Sequence, residues 1–161
     1  MNRRTLPPSV DHSLQATFYR TALLLGLVRG DDVHGWAEAI IAGEPDPPIA
    51  VIEVAAVPAS DLTEMRHALW PLAINPDPRS VIDAVLGVIQ ADLASGRRGL
   101  TDTLTILRQI RSMVRVPADV YAEINDALIA HAAGARDGAE IAGWLARYRR
   151  EPGTPPHTYV G

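Results

Sequence analysis

One segment, Pro78–Ser95, limits what this chain can fold into more than any other. Ile82, Leu86, Ile89 and Leu93 recur at intervals of three and four residues, and Val81, Val85 and Val88 make a second row beside them. Ala84, Gly87 and Ala91 widen the apolar surface, leaving Arg79, Asp83 and Gln90 as a narrow polar strip. A helix that is apolar or small over most of its girth is stable only when other helices surround it. The spacing therefore predicts a central helix near 78–95 in an all-α bundle. Asp92 continues the valine row. An unpaired buried carboxylate is costly, so the row is expected to reach solvent by that last turn; the other reading is a buried acid with a partner.

Helical periodicity recurs on both sides of this segment, with caps and breakers between the repeats. Leu14, Phe18, Ala22 and Leu25 share one face of a first helix, which Gly26 and Gly30 weaken at its end. Asp31 or Asp32 can cap a second, with Val33, Trp36, Ala37, Ile40 and Ile41 inward and Gly43 closing it. Asp46-Pro47-Pro48 then reads as a cap with proline in the first turn. The β-branched run at 49–57 reads as helix, with a buried strand as the alternative. Ser60 or Asp61 opens a fourth helix with Leu62, Met65, Leu69 and Leu72 inward, and Pro71 should kink or end it. After 78–95, Thr101 or Asp102 starts a helix with Ile106, Leu107, Ile110, Met113 and Val114 inward. Pro117 opens another with Tyr121, Ile124 and Leu128 inward. Asp137 and Glu140 suit a capping box for the last, which carries Ile141, Trp144, Leu145 and Tyr148 at core spacing. About seven to eight helices result, in one domain over 10–150, with flexible termini at 1–9 and 151–161. No fixed-period repeat is visible, although helix pairs stacked as a short solenoid are compatible with the spacing.

Composition excludes several chemistries. The 161 residues contain no Cys, and all 15 basic residues are Arg. Disulfides, thiolate metal sites, cysteine nucleophiles, P-loop lysines and Schiff-base lysines are therefore ruled out. Aromatic residues make up only 5% of the chain, so Ala, Leu, Ile and Val must fill the core. The short apolar stretch 22–28 cannot span a bilayer, and a cytoplasmic protein is expected.

The charges are segregated along the chain. Asp31, Asp32, Glu38, Glu44, Asp46, Glu53, Asp61 and Glu64 lie between Gly30 and Met65 with no Arg among them. Between 97 and 115 the balance reverses, and Arg108, Arg111 and Arg115 form a basic stripe opposite Ile106, Ile110 and Met113. Both patches can be ordinary solvated faces that partly neutralise each other. The functional reading is an acidic face, with Asp31, Asp32 and Glu38 at its centre, that steers a partner with a basic surface. Nucleic acid is not expected, because net charge is −4 and no aromatic residues interleave the arginines.

Metal chemistry finds little support. Glu64 and His67 have di-iron spacing, but no second Glu-x-x-His exists and both point away from the inward row. His34 and Glu38 are two ligands without a third, and His12 beside Asp11 is a polar helix start. No metal or cofactor is called for. His131 lies near the inward side of its helix and packs there as a structural residue, or acts with Asp126 or Glu123 in a small-molecule-binding or hydrolytic site. Trp36 and Trp144 fall on core rows. Trp70 does not, and is the aromatic residue best placed to bind something; self-association through Trp70 and the irregular 73–78 loop is a third possibility.

The stretch Leu25–Ile41, LGLVRGDDVHGWAEAII, followed by Pro47, Pro48 and Ile52-Glu53-Val54, resembles a pattern in small helical bacterial proteins of unknown function, some of them similar to immunity proteins encoded beside toxins. It covers less than a third of the chain. The resemblance implies a non-enzymatic protein whose acidic surface blocks a partner, and it carries over no site residue.

Overall fold

Glycine and proline set the path of the chain at matching places. The computed structural model describes residues 12–149, and the predicted termini at 1–9 and 151–161 lie outside them. Among the described residues there are eight α-helices and no strand: α1 (Ser13–Leu24), α2 (Gly30–Gly43), α3 (Ile49–Ala56), α4 (Leu62–Leu69), α5 (Pro78–Ala94), α6 (Leu100–Met113), α7 (Ala118–Ala132) and α8 (Gly138–Leu145). None of these helices is long and apolar enough to cross a membrane. The 49–57 run is helical: Val51 and Val54 are buried while Ile49 and Ile52 are exposed, a spacing of three that a strand would not give.

Three corners share one construction. Gly26, Gly96 and Gly134 follow α1, α5 and α7 with φ of 70°, 74° and 75°, a conformation that costs a residue with a Cβ about 1 kcal/mol or more. The chain then folds back on the finished helix. The N–H of Leu27 donates to the Ala22 carbonyl at 2.8 Å, that of Arg98 to Asp92 at 3.1 Å, and that of Ala135 to Ala130 at 2.8 Å. Each bond satisfies a carbonyl that the helix end would otherwise orphan. The next helix opens directly afterwards, at Gly30, Leu100 and Gly138.

The eight helices form two successive units of four. Helices α2 and α6 have 14 residues each, and α4 and α8 have 8 each. Helices α4 and α8 are capped alike: the Asp61 carboxylate accepts from the Glu64 N–H at 3.1 Å, and Asp137 from Glu140 at 2.9 Å. Each ends in a 3₁₀ turn, at Trp70–Leu72 and Ala146–Tyr148. Packing repeats as well. In the first unit α2 lies on α3, α3 on α4 and α4 on α1; in the second α6 lies on α7, α7 on α8 and α8 on α5. Helices α1 and α5 join the units, and both carry buried small residues, Ala16 and Ala22 on one, Ala84 and Gly87 on the other. Helix α5 is central as its sequence predicts. Its fully buried Ile82, Leu86 and Ile89 each contribute roughly 1.5–3 kcal/mol of transfer free energy.

Several expectations need correction. Asp92 does not reach solvent: it is only 5% exposed, 3.5 Å from Arg98 and 3.8 Å from Arg97. Arg98 also donates to the Gly26 carbonyl at 3.3 Å, so the buried acid anchors a side chain that ties the two corners together. The caps of α2 and α6 are Arg29 and Gly99 rather than the following acids or threonine, and Asp32 instead accepts from the Arg29 N–H at 2.7 Å. Ile41, Leu62, Met113 and Tyr121 are exposed, not inward. Leu62 is the first residue of α4 and Met113 the last of α6, and on α7 the inward row runs through Val120, Ile124 and Leu128, leaving Tyr121 to one side.

The start of α2 is the tightest backbone approach at any glycine described. A Cβ at Gly30 would stand 1.9 Å from the Ala59 carbonyl oxygen, whereas one at Gly35 meets nothing within 4 Å. Gly30→Ala should therefore lower stability by about 2 kcal/mol or more, while Gly35→Ala, mid-helix and open, should raise it by roughly 0.5–1 kcal/mol. Urea unfolding of the two variants checks this contrast; a Gly30→Ala protein as stable as the parent would contradict the close approach.

Candidate functional site

The acidic residues gather at one end of the helix series. Asp31, Asp32 and Glu38 are exposed on α2, and Glu53 is exposed on α3, which packs against it. Asp31 and Asp32 sit in the first turn, where a negative charge is favoured by the helix dipole by about 0.3–1 kcal/mol. Glu38 and Glu53 lie mid-helix and have no such local reason. Beside them Ile41, Ile49 and Ile52 are exposed, Ile49 by 75%. On α3 the exposed row Ile49, Ile52, Glu53 and Ala56 follows helical spacing, so the apolar side chains and the acid share a face. Neither α2 nor α3 contains a cation other than histidine, and among the described residues Asp31, Glu38 and Glu53 form no ion pair.

The basic stripe is divided by the fold. Arg108 is exposed on α6, and Arg111 donates to Asn125 on α7 at 2.9 Å. Helix α6 ends at Met113, so Arg115 lies beyond it. There it joins Arg20 of α1 and Arg66 of α4 around a cavity of about 390 Å³ between the two units. Trp70 is 62% exposed, and the Arg20 guanidinium lies 4.1 Å above its ring centre. Arg20 and Arg66 escape a reading of the sequence because each is a lone arginine on an otherwise unremarkable helix. The exposed Trp70, off its own core row, was the available signal.

His12, His34 and His131 are engaged within the fold. His131 Nδ1 bonds the Arg136 carbonyl at 3.0 Å, within the corner after α7. Glu123 is engaged elsewhere: it accepts from Tyr148 at 2.9 Å and from Trp144 and Arg147 at 3.4 Å. Asp126 is exposed. The fold therefore does not bring His131, Glu123 and Asp126 together as a catalytic group. His34 does not pair with Glu38, since its Nε2 bonds the Val57 carbonyl at the end of α3. His12 is buried, 2.7 Å from Glu44 and edge-on to Trp36. Glu64 and His67 are both exposed, and among the described residues no group of three potential metal ligands occurs.

Comparison of the chain with models of known protein families, with curated proteins and with solved structures gives no match. Its chemistry is therefore read from its own side chains.

Two phenols titrate late. Burial pushes Tyr19 up to about 12, with the charge of Asp32 adding to it. Burial, then the hydrogen bond to Glu123, pushes Tyr148 to about 12. An unfolded tyrosine ionises near ~10, so the native state holds these protons more tightly. Their stabilisation is fully present below about pH 10 and is lost as pH rises toward about 12. Alkaline titration followed by phenolate absorbance should show this late step, reduced in Tyr148→Phe; complete ionisation near pH 10 in the folded protein would contradict it.

Proposed function

We propose that the protein is a non-enzymatic binding module that captures a protein partner with a basic surface through the α2–α3 end. Glu38 and Glu53 supply the mid-helix charge, Asp31 and Asp32 extend it, and Ile41, Ile49 and Ile52 supply the apolar contact. The observation that carries this reading is the exposure of three isoleucines among unneutralised acids on two adjacent helices. Isolated exposed apolar side chains are common, but a group of them rimmed by charge marks an interaction surface. The acids would speed encounter with a basic partner and select against acidic ones, while the isoleucines would set the lifetime of the complex. Blocking a partner in this manner is what the resemblance to immunity-like proteins implies. The reading places the protein in the cytoplasm and needs neither nucleic acid nor a membrane.

Capture of partners on the immobilised full chain, compared at rising salt, tests the proposal. Glu38→Arg with Glu53→Arg should weaken capture about tenfold and flatten its salt dependence, with the melting temperature unchanged because both side chains are exposed. Arg108→Glu on α6 should leave capture as it is. Equal capture by the parent and the double variant would sink the proposal.

A further inference from the structure

The cavity between the units carries charge without compensation. Arg20 and Arg66 line it from the first unit and Arg115 from the second, and among the described residues no carboxylate lines it. None of the three forms an ion pair among the described residues. Arg20 is held below its ordinary basicity, first by burial and second by the like charge of Arg66. Among the described residues, three polar atoms in the same place are buried without a hydrogen-bond partner: Nε of Arg20, Nε of Arg66 and Oγ1 of Thr17. Such atoms are rare in folded proteins, and each costs about 1–3 kcal/mol. Cations held close together and orphaned polar atoms around one cavity both ask for the same thing: negative charge bearing acceptor oxygens.

The remaining wall gives the ligand a second requirement. Leu24, Val81 and Met113 supply apolar lining, and Pro76 and Pro78 line the cavity from the linker and the start of α5. A space of about 390 Å³ sits at the small end of the roughly 300–1,000 Å³ common for small-molecule sites and is too large for a bare oxyanion. Trp70 covers one face of the Arg20 guanidinium. This leaves the planar edge, where the N–H groups point, for paired bonds to two oxygens.

We propose that this cavity binds a small phosphate monoester, its phosphoryl oxygens on Arg20, Arg66 and Arg115 and its apolar body along Leu24, Val81 and Met113. Charge favours phosphate over a monocarboxylate. Three guanidiniums surround the site, and a phosphate monoester brings about −1.5 to −2 charge near neutral pH with three acceptor oxygens, against one charge and two oxygens for a carboxylate. Because the lining comes from α1 and α4 of one unit and from α5 and the end of α6 of the other, the bound phosphoryl group bridges the units. The site is separate from the α2–α3 face and does not depend on partner docking there.

Calorimetric titration of the full chain with phenyl phosphate, inorganic phosphate, benzoate and benzyl alcohol tests this. Phenyl phosphate should bind, inorganic phosphate and benzoate at least about tenfold more weakly, and benzyl alcohol not at all. Arg66→Gln should weaken phenyl phosphate about tenfold or more, yet leave the ligand-free melting temperature equal or higher, because it removes a repelling charge; a merely structural arginine would lower it. Arg115→Gln, at an exposed position beyond α6, should also weaken binding and decides the matter if Arg66→Gln fails to fold. No heat with phenyl phosphate overturns the proposal. So does equal affinity for benzoate or inorganic phosphate, or unchanged binding by the arginine variants.

Discussion

The contact between α1 and α5 is the constraint on which the rest of the molecule depends. Each helix is the first of its unit, each ends in a left-handed glycine corner, and each packs against the last helix of its own unit as well as against the other. Remove that seam and both units expose an apolar face that neither can cover alone. Small residues let the backbones come close, and close-packed helices gain dispersion energy that larger, looser contacts forfeit. The Asp92–Arg98 pair lies at one end of the seam and reaches the Gly26 carbonyl across it. Burial makes this polar contact matter, since an unpartnered carboxylate there would cost several kcal/mol.

The two units share a packing order, and surface charge is where they differ. Glu38 and Arg108 occupy the same position of two 14-residue helices, as do Ile41 and Arg111. Because packing runs from α2 through α3 and α4 to α1, across to α5 and from there to α6, the two outer helices carry opposite charge at opposite ends. Each therefore meets solvent instead of cancelling the other inside the fold. The same geometry creates the central cavity: helices of two units meeting at a seam leave a gap where the linker crosses, and arginines from both sides converge on it.

Much of this was legible in the sequence. The apolar rows of α5 predicted a central helix, the caps Asp61 and Asp137 marked helix starts correctly, and Pro71 ended α4 in a 3₁₀ turn as expected. The duplication was not legible. Helix α7 has 15 residues where α3 has 8, which breaks any constant period. Equivalent core positions also hold different residues, Val33 against Thr103 and Trp36 against Ile106, because each need only be buried. Periodicity put Asp92 on the buried valine row, but the cost of burying a charge argued it out to solvent, since its partners Arg97 and Arg98 come from the corner that follows and not from its own helix. The cavity was invisible for a related reason: Arg20, Arg66 and Arg115 are far apart along the chain, and it takes the packing of α1 on α4 and the seam to bring them together.

Amide hydrogen exchange on the intact chain, read helix by helix, tests the central claim most directly. If α1 and α5 lock two units into one cooperative body, their slowest amides will share a single opening free energy equal to that of global unfolding, with the outer helices α2 and α6 exchanging sooner. Slow amides in α1 and α5 that open with different free energies, each unit melting by itself, would contradict it.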